Sequence, residues 1–159
     1  MIYIFLTASV ISSEIEGFAK VIDGDTININ SKKIRLEGID APEIKQQCSK
    51  PFINISSFIS FQFSKSYSCG VTSKIKLTNK IDNSKIKCVS TSKDRYKRYL
   101  ATCYKGKINL NKWMVRKGYA VAYKKYSKAY IIDEEFAKKN KLGMWVGDFT
   151  TPEKWRKLN

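Results

Sequence analysis

Between Phe18 and Ile39 the chain has no room for a helix. "FAKVIDGDTININ", "SKK" and "IRLEGI" follow one another as apolar runs of strand length broken by turn residues. Asp23-Gly24 is a hairpin dipeptide, because glycine accepts the positive φ that a tight turn requires. Val21 and Ile22 lead into it, and Thr26, Ile27 and Ile29 lead out. The lysines of "SKK" make a second turn. Three short strands joined in this way predict an antiparallel meander.

The remaining text alternates. Val71, Ile75 and Thr78 fall at helical spacing and predict a helix from Cys69 to about Lys80. "KIKCVSTSKDRYKRYLATCYKGKINL" reads as two strands around a polar turn, with "YKGK" as the next turn. In "NLNKWMVRKGYA", Leu110, Met114 and Val115 share a helical face, Asn109 can cap and Gly118 can end the helix. "SKAYIIDEEFAKKNKLGMW" predicts a second amphipathic helix that stops before Gly143. The tail carries Phe149 and Trp155, which are expected to pack back on the body. The stretch 51–67 is aromatic-rich and reads either as a strand pair or as a packed loop; Asn54-Ile55-Ser56 within it has the form of a glycosylation acceptor. Five short strands with two or three helices point to an α+β chain, a small OB-type β-barrel.

At 159 residues the chain fits one domain, placed at 14–159. Residues 1–13 begin with "MIYIFLTASVIS", too short an apolar run to span a bilayer as a helix. It is read as a signal peptide, with a first β-strand as the alternative. Lys and Arg number 30 against 14 acidic residues, spread along the chain, for a formal charge of +16. So basic a folded domain favours a polyanionic partner, nucleic acid first. There is no histidine, which excludes imidazole as base or metal ligand. Cysteines at 48, 69, 88 and 103 lack the CxxC spacing of a zinc site. They fit two disulfides in an oxidising compartment, or four buried thiols.

The chemistry concentrates in "IRLEGIDAPE". Asp25 follows one turn and Asp40 ends a strand further on, so a meander can set them side by side. Paired carboxylates repel and call for a cation; their hard oxygens suit Ca²⁺ or Mg²⁺. Each also has a plainer role, Asp25 as a turn former and Asp40 as a strand-end cap. Arg35 stands five residues before Asp40, on the opposite face of a regular strand unless a bend at Gly38 re-aims one of them. "DRYKRY" adds Arg95 and Arg98, and arginine is the better bidentate phosphate ligand. Arginines, carboxylates and a divalent ion together suffice for phosphodiester hydrolysis.

"VIDGDTI", "IRLEGIDAPE", "DRYKRYLATC", "MVRKGYAVAY" and "AKKNKLGMW" occur in the order seen in staphylococcal nuclease-like proteins, the thermonuclease family. The resemblance runs from about Glu16 to Trp145. It is nearest to the secreted bacterial branch, which has four cysteines and a C-terminal pattern that appears here as "GMWVGDFTTPEKWR". It implies a five-stranded OB-type barrel with three helices. The implied activity is a Ca²⁺-dependent nuclease, secreted or periplasmic and monomeric. Its implied substrates are DNA and RNA, preferably single-stranded. By motif, Asp25, Asp40 and the Ala41 backbone carbonyl would hold Ca²⁺. Glu43 would hold or activate water, and Arg35 and Arg98 would bind the scissile phosphate. Asp23 would support the metal carboxylates and Tyr123 would line the nucleotide site. Cys88 and Cys103 flank the "DRYKRY" turn as facing residues can, so the expected disulfides are Cys88–Cys103 and Cys48–Cys69. The chain departs from the family at Ala41, where Thr is common, and at Lys97, where Gly is usual. Lys97, with the added bulk of Tyr99, keeps an alternative in view, a catalytically weakened single-stranded nucleic-acid-binding OB module.

Overall fold

In a computed structural model, the structure describes residues 12–54 and 62–159. Nearly all of the signal-peptide reading (residues 1–13) and the serine of the Asn54–Ser56 triplet lie outside them. The first strand, β1 (Ser13–Val21), is followed by β2 (Thr26–Ile29), β3 (Lys32–Leu36) and the two-residue β4 (Ile39–Asp40). Then come β5 (Gln47–Asn54), β6 (Gln62–Ser68), α1 (Cys69–Ile81), β7 (Lys85–Lys93) and β8 (Tyr99–Lys105). The chain continues through β9 (Ile108–Asn109), α2 (Leu110–Arg116), β10 (Val121–Ala122), α3 (Ile131–Lys139), a single 3-10 turn at Gly143–Val146 and α4 (Pro152–Leu158).

The expected meander is present: β1 pairs antiparallel with β2, and β2 with β3. Strand β7 pairs with β1 and β8 with β7, both antiparallel. Closure comes from β3 and β8, which run parallel with Arg35 opposite Leu100. Five strands, β1, β2, β3, β7 and β8, thus make a closed mixed barrel of OB type. Closure removes the sheet edges that an open meander would expose. Its core holds Ile27, Ile29, Ile34, Leu36 and Ile86, all fully buried, under Leu77 of α1 and Leu110 and Met114 of α2.

Two local expectations are corrected. Gly24 does not supply a positive φ; the left-handed residues of the meander are Asn30 (φ 49°) and Ser31 (φ 63°), at the turn between β2 and β3. Gly24 is needed for close approach instead, since a Cβ there would meet Ser73 Oγ and the Ala41 Cβ. Helix α1 forms as expected but turns another face inward. Val71, Ile75 and Thr78 are exposed, while Gly70, Ser73, Leu77 and Ile81 are buried. Two contacts set that rotation: Gly70 lies against the backbone carbonyl of Glu43, and Ser73 Oγ donates to Tyr119 O at 2.7 Å. The tail forms a fourth helix, α4, with Pro152 in its first turn.

The tail packs back through Phe149, whose ring meets Trp145 at 4.8 Å beside buried Cys48 and Cys69, while Trp155 is half-buried. Of the stretch 51–67, the described residues 51–54 and 62–67 lie in β5 and β6, which pair antiparallel outside the barrel. Disulfides join Cys48 to Cys69 and Cys88 to Cys103, the pairs named above. The first ties this strand pair to the start of α1; the second staples β7 to β8 at facing positions. Two disulfides suit an oxidising compartment. Among the described residues, no helix is long and apolar enough to cross a membrane.

Candidate active site

Strand β3 ends at Leu36 and the chain bends at Gly38, whose φ of +75° favours glycine. This is the re-aiming that the five-residue offset between Arg35 and Asp40 required. Arg35 NH2 donates to Asp40 Oδ1 at 3.0 Å, and Arg35 NH1 donates to Asp25 Oδ1. One guanidinium therefore bridges the two aspartates. Asp25 is fastened on its other sides as well. Its backbone N donates to Asp23 Oδ1 at 3.0 Å, Thr26 Oγ1 donates to its Oδ1 at 3.1 Å, and Ala41 N donates to its Oδ2 at 2.9 Å. The Asp23 carboxylate thus meets the Asp25 backbone N–H, and Ala41 meets the Asp25 carboxylate through its own N–H. Burial raises the Asp25 carboxyl above the ordinary carboxylate range; Arg35 pulls against that, and Asp23 and Asp40 add to it.

Past Asp40, Pro42 turns the chain and Glu43 follows. Its backbone carbonyl rests on Gly70 and accepts from Gln46 N at 2.8 Å. Gln46 is fully buried and works in two directions: Oε1 accepts from Glu43 N at 3.3 Å, and Nε2 donates to Thr150 O at 2.6 Å. That second bond moors the segment leading into α4 beside the site. From α4, Arg156 then reaches back over the carboxylates. Its NH1 and NH2 donate to Asp40 Oδ1 and Oδ2 at 2.9 and 3.0 Å, and NH1 also donates to Glu43 Oε1 at 2.9 Å. Burial works against the charge on Arg156, but Asp40 and Glu43 outweigh it and hold the guanidinium protonated.

Sequence reading assigned no part in the site to Gln46 or Arg156. Both act across more than a hundred residues of chain. "TPEKWR" marks a short helix, with a proline at its start and an arginine one turn on, but not what that arginine meets.

Arg98 sits on the turn between β7 and β8. Asp94 organises this turn, accepting from Tyr96 N and Arg98 N through Oδ1 and from Arg98 Nε at 2.7 Å through Oδ2. Lys97 adopts φ 62° there, the left-handed conformation that glycine would take without cost. Tyr99 is accommodated, half-buried on the barrel with Lys93 over its ring at 4.2 Å. Tyr123 follows β10, which pairs Val121 with Asp40; its backbone N donates to Gly38 O at 2.9 Å. Burial raises the Tyr123 phenol, and the carboxylates of Glu153 and Asp40 add to the rise. Arg35, Glu43, Arg98, Tyr123 and Arg156 all line one open cleft of about 840 Å³, which also takes in Arg95. Of the residues anticipated for the site, Arg35, Glu43, Arg98 and Tyr123 line this cleft, Asp25 and Asp40 bond to Arg35, and Asp23 and Ala41 bond to Asp25.

The donor set fits a hard divalent ion. Its side-chain ligands would be carboxylate oxygens, every cysteine is in a disulfide, and no histidine exists. Among the described residues no group of three or more His, Cys, Asp or Glu gathers as a ready-made cage. The protein would therefore offer Asp25, Asp40 and backbone oxygen, with water or substrate completing the shell.

Comparison with known proteins agrees with this geometry. Residues 33–147 match the family described as "Staphylococcal nuclease homologue". The chain is similar to an "Uncharacterized endonuclease" of Haemophilus influenzae, 33% identical over 146 residues, covering 87% of this chain and 70% of that protein. It is similar to one of the same description from Escherichia coli O157:H7, 31% identical over 156 residues, covering 92% and 88%. A third relative is the "Succinoglycan biosynthesis protein ExoI" of Rhizobium meliloti, 33% identical over 133 residues, covering 81% of this chain and 63% of that protein. The barrel, the bridged aspartates on its mouth and these matches agree: the chain belongs to the staphylococcal nuclease family.

Proposed function

We propose that this protein is an exported, calcium-dependent nuclease that hydrolyses phosphodiester bonds of DNA and RNA with little regard for the sugar. It acts as a monomer and takes single strands most readily. The observation that carries the reading is the Arg35 guanidinium held between Asp25 and Asp40 at the floor of a cleft that also presents Glu43 and Arg98. A divalent ion held by Asp25, Asp40 and the Ala41 carbonyl would polarise a phosphoryl oxygen.

The chain's own groups supply the rest. Arg35 is fixed before substrate arrives, so its N–H groups need no reorganisation to meet the charge that grows on the phosphoryl oxygens. Arg98 approaches from the opposite turn and exchanges Asp94 for phosphate. Glu43, whose side chain is 38% exposed, would hold or deprotonate the attacking water. Tyr123 and Tyr126, packed edge to face at 4.7 Å, offer a wall for a base. A net charge of +16 draws the polyanion in and makes affinity salt-sensitive.

A second reading, binding without cutting, is favoured by one observation: Lys97 strains the turn that must present Arg98, and Asp94 holds that arginine. A cleavage assay on single-stranded DNA and on RNA, with Ca²⁺ and then with chelator, separates the two. Calcium-dependent cutting that is lost in Glu43→Gln is the expected result. Tight, salt-sensitive binding with no cutting would replace the nuclease reading with the second.

A further inference from the structure

Arg156 stands on a pair of groups that the proposed chemistry needs for other purposes. Its guanidinium forms a two-bond fork on Asp40 and reaches Glu43 with the same NH1. Asp40 Oδ1 accepts from both Arg35 and Arg156, and Oδ2 accepts from Arg156. The two arginines are held very differently. Arg35 grows from a barrel strand, 15% exposed, and its partners Asp25 and Asp40 are almost wholly buried. Arg156 grows from a seven-residue helix in which Pro152 is the one buried residue, and its side chain is 33% exposed. Withdrawing Arg35 would strip Asp25 of its arginine and Asp40 of one of its two. Withdrawing Arg156 needs only a small movement of a lightly anchored helix.

The charges point the same way. Arg156 brings one positive charge onto the Asp40 and Glu43 carboxylates; with it withdrawn they lose that charge and attract a cation more strongly. A guanidinium and a divalent ion on the same Asp40 oxygens would repel strongly at that separation.

We propose that Arg156 is a tethered occupant of the divalent-ion position, so that α4 and the ion compete for Asp40. This rests on the reading that Asp25 and Asp40 hold a divalent ion. The ion then engages Asp40 only as the Arg156 fork opens, and the same opening releases Glu43 for its work on water. Because coupling between two bound groups is reciprocal, whatever tightens one loosens the other.

The test is Ca²⁺ titration by calorimetry at fixed ionic strength, without substrate. Arg156→Gln should bind Ca²⁺ about tenfold more tightly than the wild type. Lys154→Gln removes a like charge from an exposed position on the same helix and should change affinity by no more than about twofold. In the wild type, hydrogen exchange across 152–158 should accelerate when Ca²⁺ is added, a readout that needs no variant. Equal or weaker Ca²⁺ binding by Arg156→Gln, or protection of α4 by Ca²⁺, overturns the competition while leaving the metal reading intact. Absence of Ca²⁺ binding in every protein overturns both.

Discussion

Two arginines, each paired with aspartate, line one cleft, and the pairs are built on opposite plans. Arg35 is pinned between Asp25 and Asp40, whose side chains are 6% and 1% exposed, through contacts made by strand pairing and a bend. Arg98 is pinned by Asp94 within its own five-residue turn, with side chains 24% and 15% exposed. The first pair cannot exist without the barrel; the second needs little more than its hairpin. Buried charges held from several sides are costly to strip of a partner, while a local, wetter pair is cheap to rearrange. For phosphate chemistry that difference assigns one arginine to be pre-set and the other to be exchangeable.

The comparison breaks most visibly at Arg35. Arg35→Ala should lower kcat by about a thousandfold. It should also lower unfolding free energy by about 3 kcal/mol, because Asp25 and Asp40 lose their shared counter-charge. A change confined to KM, with urea stability intact, would make Arg35 a simple binding residue. Next in size is the staple beneath the other arginine. Replacing Cys88 and Cys103 by alanine opens a loop of 15 residues and should cost about 3 kcal/mol in denaturant titration, with activity retained at low temperature. Loss of activity in a folded double variant would show that the staple sets the Arg98 turn directly.

Arg98→Ala should instead leave stability within about 1 kcal/mol of the wild type while sharply reducing turnover. A large stability loss would show that its pair with Asp94 is no weaker than that of Arg35. Lys97→Gly should raise stability by about 1 kcal/mol by relieving the left-handed strain. If thermal unfolding shows no gain, the turn relaxes around lysine at no cost. The smallest effect concerns pH. Burial works against the Asp94 carboxylate, but its bonds to Arg98 and to the Arg98 and Tyr96 amides win and lower its pKa. A depressed carboxyl contributes its full stability above the ordinary carboxylate range and loses it as pH falls through the lower folded value. The NMR titration of Asp94 should therefore fall below that range, and mild acid should leave the turn intact; an ordinary midpoint would show that Arg98 is not held there.

The sequence made much of the barrel visible because its signals are local. Strand runs between turns, the Asn109 cap, and the buried face of Leu110, Met114 and Val115 depend on neighbours within a few residues. The bend at Gly38 was legible for the same reason, and with it the meeting of Arg35 and Asp40. The face of α1 was not: Val71 and Ile75 have the apolar character of a buried stripe, yet the rotation is set by Glu43 and Tyr119, which no periodicity can see. Gly24 was read as a turn former and proved to be a place where a side chain has no room.

By itself, then, the sequence determined the meander, the helices flanking the barrel and the set of charged groups available for chemistry. Spacing and residue type suffice for these, since they follow from sterics and short-range packing. Only the tertiary structure decided which charges meet. Closure through the parallel β3–β8 pair carried the Arg98 turn to the edge of the same cleft as Arg35. Gln46, through Thr150, brought α4 to Asp40, and Arg156 became part of the site. Coulomb attraction and hydrogen bonding act over a few ångströms of space whatever the distance along the chain, so a partner more than a hundred residues away leaves no local mark of its role.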